Sequence, residues 1–363
     1  MLKPIDKLHN AISAIQSIAK DHSWRESFIK SLIIFENSID CKGTDVRETI
    51  TGPIVDLLFS ECEILQKKIL NGITIEYFYR SKIARDFFMA SPETPDHVWE
   101  PQTTKLLQFL SQSAENVIIG GAYFGDHAIL IAKEIEKNNG TVHAFEPNTD
   151  QRNILERNAA INKLKNIKTN AEGLWNQSGI KLQLLGYDSF AKSSAIDRDD
   201  FDHINTITLD RYIHDNKIHT VDLIMLDIEG AEFNALQGAS GFLSATTPEK
   251  LPNIIFEIHK NYVDWSNGIE KTEIISFLQH YGYKIFAIRD FQSNVNLENI
   301  PVELIPISSI YLEGPPHGFN MVAVQDESLF KNKNFIFVEN RSPKLLKHKE
   351  PELHHPISWL TLK

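Results

Sequence analysis

From about residue 100 onward the sequence predicts an α/β fold, a mostly parallel sheet covered by helices on both faces. Three observations predict it. Short β-branched runs alternate with helix-period segments from residue 116 on, and those runs are apolar almost throughout rather than at every second position. The stretch "NVIIGGAYFGDHAILIAKEI", residues 116–135, joins a buried strand to an amphipathic helix through a glycine turn.

The elements follow in order. "NVIIGG" reads as strand one and "DHAILIAKEIEK" as its helix; "TVHAFEP" and "TDQRNILERNAAIN" repeat the unit, and "IKTNAEGLW" is strand three. "VDLIMLD" is strand four with "AEFNALQGASGFL" as its helix. "PNIIFEIH" is strand five, followed by the helix "KTEIISFLQHYG" and the closing strands "YKIFAIRD" and "HGFNMVAVQ". Residues 178–210 interrupt the alternation and read as a hairpin, a polar loop and a short strand.

Three units are expected. Residues 1–100 form a helical N-terminal extension, with Ile12, Ile15, Ile18 and Ala19 at helical spacing and further helix through "SFIKSLIIF" and "ITGPIVDLLFSECEILQKKIL". It is a cap, a substrate-selecting element or an oligomerisation surface. Residues 101–330 carry the α/β domain, and residues 331–363, with "KLLKHKEPELHHP", form a tail that wraps the domain or is mobile. Its histidine pair, His354 and His355, points opposite ways on an extended chain and reads as solvated. The junction "ASPETPDHVWEPQ" puts His97, Trp99 and Glu100 on a loop shortly before the glycine turn. Such a loop either folds over a ligand or packs its tryptophan in an ordered linker.

Composition excludes several classes. Of 363 residues 42% are hydrophobic and 23% charged, and the mean hydropathy is -0.24, which is globular rather than disordered. A formal charge of -11, with no long basic run, argues against a nucleic-acid backbone as partner and for a small or neutral substrate. Cys41 and Cys62 are too few for a disulfide framework and fit a reducing cytoplasm as ordinary, partly buried thiols. Neither a secretory signal nor an apolar span of about 18 residues is visible, so the expectation is a cytoplasmic protein with no membrane partner.

In an open parallel sheet, ligands bind beyond the carboxyl ends of the strands. Strand one ends in Gly120, Gly121, Ala122, Tyr123, Gly125 and Asp126, and strand two in Glu146 and Pro147. Strand three ends in Ala171 and Glu172, strand four in Asp227 and Glu229, and strand five in Glu257 and His259. Glu146 lies 21 residues after Gly125, where a carboxylate accepts hydrogen bonds from both ribose hydroxyls. The turn lacks the G-x-G-x-x-G spacing of a pyrophosphate site and has no Lys or Arg nearby. It suits a methionine moiety better. Asp227, Glu229 and Glu232 put three carboxylates within six residues at a strand end, hard to explain by solubility alone.

Together "VIIGGAYFGD", "HAFEPN", "AEGLW", "ITLDRYI", "VDLIMLDIEGAEFNALQGA" and "IIFEIH" resemble the FkbM family of S-adenosylmethionine-dependent methyltransferases over roughly residues 100–290. The family typically methylates hydroxyl oxygens of sugars, polyketides and other secondary metabolites. The resemblance implies the seven-stranded, Rossmann-like class I methyltransferase fold and S-adenosyl-L-methionine as cofactor. It implies that Gly121, Tyr123 and Gly125 line the methionine end, with Gly120, Ala122 and Asp126 beside them. Glu146 and Pro147 then stand at the ribose, Ala171 and Glu172 at the adenine, and Asp227 near the methyl group. Members commonly carry an acidic residue two positions before the turn glycine, in contact with the cofactor's ammonium. Here that position is Ile119, and Asp126 or a strand-four carboxylate is the expected substitute.

Methyl transfer from a sulfonium is an in-line displacement that a general base assists. Asp227 or His259 is the expected base, with Glu229 and Glu257 orienting acceptor or base. No ligand spacing demands a metal, so none is expected to be required. The expected partner is a small hydroxylated acceptor, and the N-terminal helices are a candidate homo-oligomer surface. Two alternatives stay open: a nicotinamide-dependent oxidoreductase, and a non-catalytic binding module with a weakened cofactor site.

Overall fold

The structure, a computed structural model, describes residues 4–39, 42–185, 192–195, 203–313 and 318–361. Its central sheet contains β1 (Asn116–Gly120), β2 (Thr141–Phe145), β3 (Ile167–Asn170), β4 (Leu223–Leu226), β5 (Asn253–Ile258), β6 (Lys284–Ile288), β7 (Val302–Pro306), β8 (Phe319–Val324) and β9 (Phe335–Phe337). The order across the sheet is β9-β7-β6-β8-β5-β4-β1-β2-β3. β3, β2, β1, β4 and β5 run parallel, β8 is antiparallel to both β5 and β6, and β7 is antiparallel to β6. Seven of the strands match the expected set; β7 and β9 extend the sheet beyond it.

Apolar residues at successive positions explain why these strands are central. In β1, Val117 and Ile119 enter one core while Ile118 enters the other. Residues Leu223 and Met225 of β4 divide from Ile224 and Leu226 in the same way. One face is covered by α4 (Pro101–Ser111), α5 (Ala128–Ile135) and α6 (Thr149–Ile161), the other by α7 (Leu209–Asp215), α8 (Glu232–Gln237) and α9 (Glu273–His280). A strand buried on both faces cannot alternate polar and apolar residues. The chain runs outward from β1 to β3, then crosses back to β4, which leaves a crevice beyond the carboxyl ends of β1 and β4.

The N-terminal region is helical in α1 (Pro4–Ile18), α2 (His22–Ser38) and α3 (Lys82–Phe88), but "ECEILQKKIL" is not the expected helix. Ile64–Lys68 pairs antiparallel with Thr74–Phe78, and alternating burial along the first strand marks its period of two. Asn71 and Gly72, at φ 71° and 75°, form the tight turn. An Asn-Gly pair between two alternating runs was the signal for it. The second, more buried strand is tied to the end of α6 by side chains: Asn162 Oδ1 accepts the Thr74 N–H at 2.8 Å and Asn158 Oδ1 accepts the Glu76 N–H at 2.7 Å.

Two other expectations change, and one open alternative is decided. The tail wraps the domain, because the buried Arg289 of the β6 end donates to the carbonyls of Ser342, Leu353 and His355. His354 is buried rather than solvated, its Nε2 2.8 Å from Glu313 and its Nδ1 against the Lys344 carbonyl. Cys62 is exposed, not partly buried, while Cys41 lies outside the described residues. Within 178–210, Lys181–Leu185 and Lys192–Ala195 form the expected hairpin and Ile204–Ile207 the short strand, packed in a small sheet with Gly173–Leu174; most of the polar loop lies outside the described residues. Among the described residues, no helix is long and apolar enough to cross a membrane.

Candidate functional site

A cavity of about 490 Å³ opens at the switch point between β1 and β4, within the size range of small-molecule sites. Gly120, Gly121, Tyr123, Asp126, Glu146, Pro147, Glu172, Asp227, Glu229, Glu257 and His259 all stand on its wall. Three residues assigned to the cofactor do not. Ala122 is 1% exposed and packs in the core. Gly125 faces Leu155 and Ile129, where an added Cβ would come within 2.6 Å of the leucine, so its role is close helix packing. Ala171 is exposed, away from the cavity, because β3 ends at Asn170.

The glycine turn is built around the tip of β2. Gly121 and Ala122 donate their N–H groups to the Phe145 carbonyl at 3.0 Å, and the Tyr123 N–H is 2.8 Å from Glu146 Oε2. Glu146 Oε1 accepts the Asn148 N–H at 2.8 Å. The carboxylate is thereby held at the cavity wall. Tyr123 has φ 48°, Glu229 φ 53° and Glu100 φ 47°. Three left-handed non-glycine residues on one cavity wall are backbone strain gathered at a site.

Carboxylates dominate the other end. Atoms of Asp227, Glu229 and Glu257 lie within 4.8 Å of one another. Burial, then repulsion from Glu229, Glu232 and Asp126, pushes the Asp227 carboxyl well above its usual range. Glu257 is raised by burial and by Asp227 and Glu229. Glu232 closes the turn by accepting the Ile228 N–H at 2.8 Å and that of Gly230, yet burial still lifts it to about 7. Glu229 accepts the Tyr262 hydroxyl at 2.9 Å. His259 Nδ1 accepts the Asn261 N–H at 3.0 Å, so the neutral ring carries its proton on Nε2.

Raised acids have a consequence for stability. Between the ordinary carboxylate value and the folded one, the folded state binds more protons than the unfolded chain, so stability falls as pH rises through that window. For Glu232 the window runs from 4.5 to about 7. The thermal midpoint of the ligand-free protein is expected to be higher at pH 5.5 than at pH 7.5, and Glu257→Gln is expected to narrow the gap. Calorimetric midpoints that rise with pH across this range contradict the assignment.

Other wall residues stand outside the strand-end pattern. Lys82 and Ile83 of α3, Trp99 and Glu100 of the junction, and Tyr262 and Gln292 beyond β5 and β6 reach the cavity from segments with no family pattern. Tyr123 also donates its hydroxyl to Ser81 Oγ at 3.0 Å, joining the glycine turn to the start of α3.

Five parallel strands, the reversed β8 beside β5 and β6 outside it give the domain around this cavity the strand order of the class I, Rossmann-like methyltransferase fold. Residues 120–285 match the model of the Methyltransferase FkbM domain, in agreement with the motif resemblance. Among solved structures, the chain is similar to methyltransferase FkbM from Methylobacillus flagellatus KT, at 22% identity over 40% of this chain and 33% of that one, with a TM-score of 0.27. It is also similar to M. jannaschii TYW2 in complex with AdoMet (14% identity, 73% and 86% covered, TM-score 0.36). An O-methyltransferase from Bacillus cereus in complex with SAH is similar at 15% identity, 63% and 84% covered, TM-score 0.35. The chain spans about one third of the length of the Methylobacillus structure. No curated protein matches it significantly.

Proposed function

We propose that the protein transfers a methyl group from S-adenosyl-L-methionine to a hydroxyl oxygen of a small molecule such as a sugar or secondary metabolite. One observation carries this reading: a single cavity runs from the ribose-type carboxylate Glu146 to the trio Asp227, Glu229 and Glu257. When bound, the cofactor supplies an electrophilic methyl on sulfur for in-line displacement.

Asp227 takes the acceptor's proton, its raised carboxyl bringing the base nearer to the working pH. Glu229, fixed by Tyr262, and Glu257 orient the acceptor. His259 donates from Nε2 rather than acting as the base, since its Nδ1 is engaged. Trp99, Ile83 and Leu182 add apolar surface to the wall, which disfavours water. Residues 1–100 act as a cap that selects the acceptor, and the exposed Trp24 and Ile34 of α2 are the surface for self-association in the same reading. The protein works in the cytoplasm.

Calorimetry is expected to show S-adenosylmethionine and its demethylated product binding at one site, and NAD not at all. Methyl-labelled donor with a panel of hydroxylated metabolites should give a labelled ether. Asp227→Asn is expected to lower that transfer by about 10²- to 10⁴-fold while keeping product affinity within tenfold. Binding of NAD in place of S-adenosylmethionine defeats the reading.

The spacing of the trio favours a second reading, in which Asp227, Glu229 and Glu257 would hold a divalent cation that would supply Lewis-acid binding of a diol acceptor. Transfer unaffected by excess chelator supports direct base catalysis. Loss restored by magnesium establishes the cation.

A further inference from the structure

The methionine end of the donor carries an ammonium group, and a cation in a dry pocket needs an anionic partner. Ile119 cannot provide one; its side chain is 1% exposed in the core below the sheet. Asp126, the expected substitute, lines the cavity, but the backbone N–H groups of His127 and of its own residue at the start of α5 already favour its charged form.

Glu100 is placed differently. It occupies the N-cap position of α4, where a side chain would normally accept the second or third N–H of the helix. Those N–H groups, of Gln102 and Thr103, are instead taken by the two oxygens of Asp290 at 3.0 and 2.7 Å. Relieved of capping, Glu100 turns into the cavity wall on a left-handed backbone, φ 47° and ψ 75°. The loop is held in that conformation: Asn294 Nδ2 donates to the carbonyls of His97 and Val98, and Thr104 Oγ1 donates to that of Trp99.

The carboxylate itself is aimed by Asn320, whose Nδ2 donates to Oε2 at 2.6 Å. Its other charged surroundings are acidic: Asp227, Asp290 and Asp126. His127 Nε2 lies 3.9 Å away, but burial holds that imidazole below its usual value, so it is neutral at pH 7. Among the described residues no lysine or arginine forms an ion pair with Glu100. Burial and these neighbours push its carboxyl well above the usual range, a penalty that an incoming cation removes.

We infer that Glu100 receives the ammonium group of S-adenosyl-L-methionine, in place of the acidic residue that Ile119 replaces. The inference rests on the methyltransferase reading above. Calorimetry with two ligands tests it: S-adenosylhomocysteine, which carries the ammonium, and 5′-deoxy-5′-methylthioadenosine, which lacks the amino-acid end. Glu100→Gln is expected to weaken S-adenosylhomocysteine at least tenfold while leaving methylthioadenosine within twofold, and Glu100→Asp, which keeps the charge, to recover part of the loss. Asp126→Asn is expected to change the first affinity less than threefold. Unchanged S-adenosylhomocysteine binding in Glu100→Gln, or equal loss of both ligands, overturns the role of Glu100 alone. Wild-type protein that binds neither ligand overturns the methyltransferase reading and this inference with it.

Discussion

Gly121→Ala is expected to abolish S-adenosylhomocysteine binding and to lower the thermal midpoint of the protein. Gly121 sits at φ 77°, a conformation that costs an L-residue about 1–2 kcal/mol. A Cβ there would lie 1.8 Å from the carbonyl oxygen of Asp227, backbone that has no soft direction to move. β1 and β4 are paired up to Gly120 and Leu226, and the Asp227 N–H bonds the Gly120 carbonyl at 3.1 Å. The clash therefore pries apart the two strand ends that form the floor of the cavity. Overpacking adds roughly 1–3 kcal/mol, and displacement of Asp227 and the Tyr123 N–H from Glu146 should weaken ligand binding at least a hundredfold. Calorimetry and thermal unfolding of the variant check both effects; wild-type affinity in Gly121→Ala would falsify the assignment of this turn.

Arg289→Leu should destabilise the protein by about 3–5 kcal/mol, because it strands a buried charge. Arg289 and Glu303 form an ion pair, and both side chains are 0% exposed. Burial pulls the guanidinium below its ordinary value and pushes the carboxyl above its own, so neither is favourable by itself. The variant also removes the donors to Ser342, Leu353 and His355, three carbonyls that bind the C-terminal tail. Glu303 holds the Ile357 N–H as well. Urea unfolding measures the loss, and limited proteolysis is expected to cut first within residues 342–357. The double variant Arg289→Leu with Glu303→Leu, which leaves no orphaned charge, should recover much of the stability. A single variant as stable as wild type would show that the tail is held by other contacts.

How much of the site could be read beforehand depended on where each residue stands relative to a strand. Glu146, Asp227, Glu229, Glu257 and His259 follow directly on apolar runs, so the strand that predicts the sheet also aims them at its carboxyl edge. Glycine spacing alone was less informative: Gly121 is forced by the approach of Asp227, whereas Gly125 serves the packing of α6. Glu100 has no such frame. Its sequence context, a proline-rich junction, places it on a loop without aiming it, and its freedom from capping depends on Asp290, 190 residues away, which takes the Gln102 and Thr103 N–H groups.

What the amino-acid sequence determined by itself was local or periodic: doubly buried strands, the helices between them, and carboxylates at strand ends, because burial on both faces writes itself into every residue of a run. Only the tertiary structure decided which side chains complete the wall from outside that pattern. α3, Glu100, Tyr262 and Gln292 converge on the cavity, and Arg289 gathers the tail, through contacts between residues far apart in the chain. Such contacts leave no period in the sequence, since each depends on one partner's position after the chain has folded.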